Sequence, residues 1–286
     1  MDGQKFKVLI TASGLGSRLG KLSKYLPKAL VRVGNKAAIT HIMDYYPKET
    51  QFVVTLGYQG HKIKEFLSYF DYDVTFVDVD QYEGPGSSQL YSMLCAKAHL
   101  QCPFIFHPID TLVLEDTIPH VDYNWVACGP KRNSYDYATL QVNANHLLNI
   151  FPKGSEEEFH YTHIGLIGIR DYKEFWKEAE FCLDLTKAPS DVPVVHQLLR
   201  KGTIFKAIKV DTWYDTGNLD SYLQATKELA KDLTVLSKPG QEVYLYDKLV
   251  IKFFDDVDSV ISRQKRAIAL SKMVPEIVKP FSCKHF

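Results

Sequence analysis

The chain has 286 residues, of which 45% are hydrophobic and 24% charged, as in an ordinary soluble globular protein of one large or two smaller domains. Basic and acidic residues are balanced at 34 each, so no basic excess exists to attract nucleic acid or a membrane surface. The five cysteines are scattered without CxxC spacing, and no apolar stretch has the length of a signal peptide or a membrane span. We therefore expect a cytoplasmic protein with reduced thiols. A homo-oligomer is compatible with this composition.

The first part of the chain alternates short apolar runs with amphipathic segments. This alternation predicts a parallel sheet that is covered by helices on both faces. The predicted strands are 8–11, 52–56, 74–77 and 103–106, and the predicted helices are 61–70 and 88–100.

The pattern changes near residue 125, where strands follow one another with turns between them. A cluster of Pro and Gly at 237–240 predicts a boundary, so we divide the chain into residues 1–235 and 236–286. The later predicted strands are 125–128, 138–142, 163–169 and 205–210, with helices at 171–184, 191–200 and 218–231, then a hairpin over 242–254 and a helix at 258–272.

A glycine loop directly follows the first predicted strand. Gly14 and Gly16 remove side chains where backbone N–H groups and the next helix terminus could cradle a phosphate, and Arg18 adds a fork of donors. A dinucleotide-binding fingerprint would need a third glycine at Leu19, so a dehydrogenase is disfavoured. The bare loop leaves open a phosphate site or a simple tight turn.

The loop and a later Pro27-Lys28-Ala29-Leu30 together resemble the signature of sugar-phosphate and phosphocholine-type nucleotidyltransferases. This resemblance implies a Rossmann-like α/β fold with a mixed, mainly parallel sheet flanked by helices, and a C-terminal hairpin-plus-helix extension. It implies that Arg18 and Lys28 neutralise the phosphates of an NTP. The residues it implies for nucleotide binding are Ala12, Ser13, Gly14, Leu15, Gly16, Ser17, Gly57, Tyr58, Gly86, Ser87 and Ser88. Ser13 departs from the family, which more often has glycine there.

Two aspartates are candidate ligands for Mg²⁺, which prefers carboxylates, phosphate oxygens and waters. Asp110 follows a predicted strand, where the sites of α/β sheets lie. Asp215 lies in Trp213-Tyr214-Asp215-Thr216-Gly217, which resembles the W-x-D-x-G segment of the same family. For either residue taken alone, a turn or helix-capping role is the alternative.

The acceptor side is predicted from the same resemblance and from residue type. Lys153 resembles the family's acceptor-side lysine, and Tyr161 and His163 are candidates to line the acceptor pocket. Three aromatic residues could form a cage for a quaternary ammonium group, or serve only in packing: Tyr161, Trp213 and Tyr214. The run from Gly86 to Ser92 is more like the cytidylyltransferases that use phosphocholine, which favours CTP, and the capped start of a helix is the alternative.

The C-terminal segment 236–286 resembles the opening of a choline-kinase or aminoglycoside-phosphotransferase-like domain, with Lys252 at the position of its strand lysine. An ordinary hairpin and helix is the alternative.

The sequence thus predicts a Mg²⁺-dependent transfer of CMP from CTP to a phosphorylated small alcohol such as phosphocholine, with release of pyrophosphate. A sugar-1-phosphate nucleotidyltransferase that uses another NTP is the alternative, and capsule or surface-glycan synthesis would suit either. A rival of another class is a catalytically silent nucleotide-binding module.

Overall fold

The computed structural model describes residues 6–20, 22–185, 189–229, 236–246, 249–254 and 256–271. The strands are β1 Lys7–Ala12, β2 Arg32–Val33, β3 Lys36–Ala37, β4 Gln51–Leu56, β5 Asp73–Asp78, β6 Phe104–Phe106, β7 Thr111–Val113, β8 Asn124–Gly129, β9 Thr139–Asn143, β10 His146–Phe151, β11 Tyr161–Ile169, β12 Phe205–Lys209, β13 Trp213–Asp215, β14 Leu236–Lys238, β15 Gln241–Tyr246 and β16 Leu249–Phe254. The helices are α1 Leu22–Tyr25, α2 Ala38–Tyr45, α3 Gly60–Leu67, α4 Gln89–Cys95, α5 Tyr172–Leu183, α6 Asp191–Arg200, α7 Leu219–Leu229 and α8 Val257–Ser271.

A central sheet joins nine of the described strands in the order β5-β4-β1-β6-β11-β8-β12-β10-β9. β5, β4, β1 and β6 run parallel, as does the β8–β12 pair, whereas β11 is antiparallel to its neighbours and β10 to both of its own. The predicted mixed sheet is confirmed. Its parallel half coincides with the predicted alternation of strands and helices, because parallel neighbours need a crossover between them.

Helices cover both faces of this sheet. On one face, α2 and α3 pack Ile39 and Ile63 over the even-numbered side chains of β1, and on the other, α4 and α5 pack Leu90 and Phe175 over Leu9. The three apolar residues at the centre of β1 are fully buried, which is why the strand reads as a continuous apolar run rather than an alternating one. No helix in the described ranges combines the length and the apolar composition needed to cross a membrane.

A two-stranded ribbon outside the sheet pairs β7 with β13 in antiparallel register, with Thr111 opposite Asp215. Neither strand was predicted, and neither were α2, β10 or the short β2–β3 ribbon.

The C-terminal part forms a separate antiparallel sheet, β14-β15-β16, followed by α8. The predicted hairpin and helix are therefore present, whereas residues 272–286, and with them Cys283, lie outside the described residues. The four described cysteines are free thiols.

His107, at the end of β6, is a buried neutral histidine that makes the fold sensitive to acid. Its Nδ1 pairs with the Tyr46 hydroxyl and its Nε2 with the carbonyl of Thr111, each at 2.8 Å. Burial lowers the pKa of His107 to about 4, against the opposing effects of its hydrogen bond to the Thr111 carbonyl and of the charge of Asp110. The unfolded chain therefore binds a proton at this histidine near pH 6.5, whereas the folded chain binds that proton only near pH 4.

We expect the free energy of unfolding to be largest above pH 6.5 and to fall by about 3 kcal/mol between pH 6.5 and pH 4 through this residue. Urea melts across that range measure the slope. His107→Gln removes the titrating group and should flatten the slope, even though it lowers stability at pH 7. An unchanged slope in the variant would assign the acid sensitivity to other groups.

Candidate active site

A cleft of about 1160 Å³ opens at the carboxyl ends of β1 and β6. Because these strands are parallel neighbours, the glycine loop after β1 and Asp110 after β6 lie at the same edge of the sheet. Most of the predicted site residues line this cleft, namely Ala12, Ser13, Gly14, Leu15, Gly16, Ser17, Arg18, Lys28, Ser87, Ser88, Asp110, Lys153, His163 and Asp215.

The glycine loop is shaped for close approach by a ligand on one side and by Lys28 on the other. Gly14 is exposed, and a Cβ built on it would meet nothing within 4 Å. Gly16 has φ +66°, and a Cβ there would lie 3.1 Å from the Cβ of Lys28 and 3.3 Å from that of Ser23. Glycine at 16 therefore meets two needs, a left-handed backbone and contact with the segment that carries the lysine.

Lys28 and Asp110 form an ion pair at the floor of the cleft. The ammonium lies 2.7 Å from the carboxylate, and the side chains are 12% and 27% exposed. Burial alone would raise the pKa of Asp110, but the charge and hydrogen bond of Lys28, together with the charge of Arg18, outweigh it and hold the pKa below its ordinary value. Asp110 is therefore ionised throughout the neutral range.

The β7–β13 ribbon brings Asp215 beside Asp110. The backbone N–H of Thr216 donates to the carbonyl of Asp110 at 2.8 Å, which closes the ribbon on the cleft side. A Cβ built on Gly217 would lie 2.7 Å from Oδ1 of Asp215 and 3.2 Å from Oδ2 of Asp110. Both carboxylates therefore approach the same point, and only glycine leaves that point free.

This pair of carboxylates fits a hard divalent cation. Mg²⁺ is usually held by one or two carboxylates, with the remaining positions taken by waters and substrate phosphates. The described residues contain no cluster of three or more His, Cys, Asp or Glu side chains that could hold a metal, so a protein-only metal cage is not present there. Asp110 and Asp215 suit a cation that arrives together with a phosphorylated ligand.

Asp215 has a hydrogen-bond partner that was not predicted from the sequence. The Tyr137 hydroxyl donates to Oδ2 of Asp215 at 2.9 Å, and the N–H of Gly217 donates to Oδ1 at 2.6 Å. Burial, reinforced by the negative charge of Asp215, raises the pKa of Tyr137, so the phenol keeps its proton. Tyr137 lies in a loop with no strand pattern, and nothing in the sequence pointed to it.

The far half of the cleft carries polar groups on β11 and α6. His163 Nε2 lies 2.8 Å from Oδ2 of Asp191, and both side chains are buried. Lys153 follows β10, lines the same half and forms no ion pair with any described carboxylate. Asp191 and His196 were not predicted as site residues, although both line the cleft.

Four predicted residues lie outside the cleft lining, and their roles in binding stay predictions. Gly57 and Tyr58 support the glycine loop from behind: the N–H of Tyr58 donates to the carbonyl of Ser13 at 2.9 Å, and a Cβ on Gly57 would lie 2.5 Å from that carbonyl oxygen. Gly86 has φ +91° and packs against the side chain of Gln81. The ring of Tyr161 faces the ammonium of Lys209 at 5.1 Å, in a separate surface pocket.

Alanine substitutions at two glycines of this region would distinguish a structural role from a role in ligand binding. Gly57→Ala should destabilise the fold by about 1–3 kcal/mol, because the new methyl group overlaps the Ser13 carbonyl and the Tyr82 ring. Gly14→Ala should leave stability unchanged, since its Cβ meets no protein atom, yet weaken the binding of a nucleoside triphosphate. Thermal melts and nucleotide titrations of both variants test this, and a melting temperature that falls equally in both would contradict it.

The comparisons with known proteins agree with this geometry. No family model matches the chain. A stretch of 119 residues, 41% of this chain and 45% of the relative, is 28% identical to the probable glucose-1-phosphate cytidylyltransferase of Bacillus subtilis. The match thus spans less than half the length of that curated relative.

Solved structures match over a larger part of the chain. The inositol-1-phosphate CTP transferase from T. maritima aligns with a TM-score of 0.64 at 16% identity, over 81% of this chain and 99% of its own. The CTP:phosphocholine cytidylyltransferase from Streptococcus pneumoniae aligns with a TM-score of 0.67 at 15% identity, over 79% and 99%.

The chain therefore has the nucleotidyltransferase fold, with helices that flank a mixed sheet. In sequence and in fold, the proteins that it resembles are nucleotidyltransferases of the sugar-phosphate and cytidylyl-transfer type.

Proposed function

We propose that this protein transfers a nucleoside monophosphate from an NTP to a phosphorylated small-molecule acceptor and releases pyrophosphate. The observation that carries the proposal is the convergence of an exposed glycine loop, the Lys28 ammonium and the carboxylates of Asp110 and Asp215 on one wall of a single cleft. Each group matches a need of in-line attack at phosphorus, which gains rate from positioning and charge neutralisation.

In this reaction an oxygen of the acceptor phosphate attacks the α-phosphorus, a new P–O bond forms, and the bond to the β-phosphate oxygen breaks. The attacking oxygen is already anionic at neutral pH, so no general base is needed. The N–H groups from Gly14 to Ser17 hold the triphosphate, and Arg18, exposed at the rim, pairs with its outer oxygens. Lys28, with one donor on Asp110 and two more available, neutralises charge at the phosphate under attack.

Asp110 and Asp215 are the residues that would hold Mg²⁺, which when bound would offset the negative charge on the phosphate oxygens. Tyr137 and the N–H of Gly217 fix the carboxylate of Asp215 through its two oxygens. Lys28 and Arg18 keep Asp110 ionised in the absence of a cation, so the site needs no proton release to bind one.

A sugar 1-phosphate is the acceptor that the cleft supports best. The similarity to a glucose-1-phosphate cytidylyltransferase favours it, and the far half offers polar groups suited to hydroxyls, including His163 and Asp191. Lys153, which lines the cleft, would bind the acceptor phosphate.

Phosphocholine, the acceptor favoured by the sequence, has less support. The guanidinium of Arg132 already lies over the Trp213 ring at 4.2 Å, and Lys209 faces the Tyr161 ring. Tyr214 does not line the cleft. Two of the three rings predicted to cage a quaternary ammonium group therefore already face cations of the protein itself.

The phosphotransferase-like interpretation of residues 236–286 stays a prediction, since the comparisons give it no support. The structural matches cover about four fifths of the chain. A cytoplasmic location likewise stays a prediction.

The test is pyrophosphate release from each of the four NTPs in combination with glucose 1-phosphate, inositol 1-phosphate and phosphocholine, with and without Mg²⁺. We expect release only when NTP, acceptor and metal are all present, and most with CTP and a sugar 1-phosphate. Nucleotide binding without release in any combination would instead favour a silent nucleotide-binding module.

A further inference from the structure

Three serines form a hydrogen-bonded chain in the wall of the cleft, between the glycine loop and α4. The hydroxyls of Ser13 and Ser92 lie 2.8 Å apart, and the hydroxyl of Ser92 lies 3.2 Å from the carbonyl oxygen of Ser88. Ser13 and Ser92 are only 3% and 5% exposed, and all three residues line the cleft. In the family that the sequence resembles, glycine is more common at the position of Ser13, and a glycine could not form this serine chain.

The direction of the protons along the serine chain follows from chemistry. A carbonyl oxygen can only accept, so the single proton of the Ser92 hydroxyl is donated to Ser88. The contact between Ser92 and Ser13 must then be made by the proton of Ser13. Because a hydroxyl has one proton and two lone pairs, the oxygen of Ser13 keeps acceptor capacity and has no donor left.

The serine chain is held rigidly. The carbonyl of Ser13 accepts from the N–H of Tyr58 at 2.9 Å, and Gly57 packs directly against it. At the other end, the Ser88 side chain caps α4 by accepting from the N–H of Tyr91 at 3.0 Å. For Ser13 to donate to a ligand instead, the two hydroxyl oxygens would face each other at 2.8 Å without a proton between them, or Ser92 would lose its bond to Ser88.

We propose that the serine chain makes Ser13 an obligate hydrogen-bond acceptor that selects cytosine over uracil. Cytosine presents an amino group at C4 that donates to such an acceptor, whereas uracil presents a carbonyl oxygen there, and two facing acceptors repel. The inference rests on the proposed function, since it takes the nucleotide's phosphates to bind the adjoining loop that begins at Gly14 and its base to lie toward α4. The selectivity for cytosine would thus come from the whole serine chain rather than from a single contact.

The serine chain predicts opposite effects for substitutions at Ser13 and Ser92. Ser13→Ala removes the acceptor and should weaken CTP binding about tenfold, with little change for UTP. Ser92→Ala frees the proton of Ser13, which can then turn to the uracil carbonyl. This variant should therefore strengthen UTP binding severalfold and reduce the preference for CTP. Titration calorimetry with CTP and UTP measures both effects without requiring turnover.

The matched control is Thr40→Val, which deletes another buried hydroxyl that donates to a carbonyl, at 2.8 Å, outside the cleft. It should leave the ratio of CTP to UTP affinity unchanged. If Ser13→Ala does not fold, Ser92→Ala carries the test alone. An unchanged ratio in the folded serine variants would overturn the proposed role of the serine chain. Failure of the wild-type protein to release pyrophosphate with any NTP would instead overturn the proposed function, and the two failures are thus distinguishable.

Discussion

Lys28→Ala is expected to lower the rate of pyrophosphate release by about 100-fold to 1000-fold while the protein stays folded. Removal of one preorganised charged donor at a developing phosphate charge costs rates of this order. The fold survives because the Asp110 side chain is 27% exposed, so cleft water can replace the lost ammonium. Steady-state rates at saturating substrates, together with a thermal melt, measure both parts of the expectation.

The chain offers a closely matched control for this variant. Lys36 forms an ion pair with Asp44 at the same 2.7 Å distance, but neither residue lines the cleft. Lys36→Ala should therefore keep a rate near that of the wild type, with a stability loss of at most about 1 kcal/mol. A Lys28→Ala variant that turns over within threefold of the wild type would show that this lysine does not act on the phosphate.

Asp215→Asn is expected to lower the rate by about 100-fold and to raise the Mg²⁺ concentration needed for half-maximal activity. The carboxylate accepts from Tyr137 on one oxygen and from the N–H of Gly217 on the other. An amide can accept on one side only, so the variant loses the charge, and the Tyr137 hydroxyl has to turn from donating to accepting. Titration of activity with Mg²⁺ separates a metal defect from a general loss of rate.

Two further variants define what this result means. Gly217→Ala keeps both carboxylates but places a methyl group 2.7 Å and 3.2 Å from their oxygens, so it should show the same metal defect. Asp220→Asn removes an exposed carboxylate in the first turn of α7, outside the cleft, and should leave the metal dependence unchanged. If Asp215→Asn lowered the rate at an unchanged metal requirement, a role in orienting the acceptor would replace the metal role.

The sequence predicted the long elements of the fold because their patterns are local. Strands such as β1 and β4 are continuous apolar runs, and helices such as α5 show the 3.6-residue period, so both are visible in a short window. The β7 and β13 strands have three residues each, which is too short for any period, and they exist only because they pair with each other. α2, which begins without a capping side chain, also escaped prediction.

The candidate site was predictable where a motif carried it and not where tertiary packing decided. The glycine loop and Lys28 stand in one short stretch whose resemblance to a family assigned both to the cleft. Tyr161 and His163 are two residues apart on β11, so alternation places them on the same face of the sheet. Only His163 reaches the cleft, where α6 presents Asp191 to it. The local sequence does not determine which helix covers which end of a strand.

We expect the β7–β13 ribbon to make assembly of the site a late event in folding. It joins segments whose contact between Asp110 and Thr216 spans 106 positions, and five strands of the central sheet lie between them in the chain. Such distant segments meet only after the intervening chain has become compact, because closure of a long loop is entropically costly. Recovery of activity after dilution from denaturant should therefore lag behind the recovery of the helical circular dichroism signal. A partly folded chain should bind phosphate before it can catalyse the reaction.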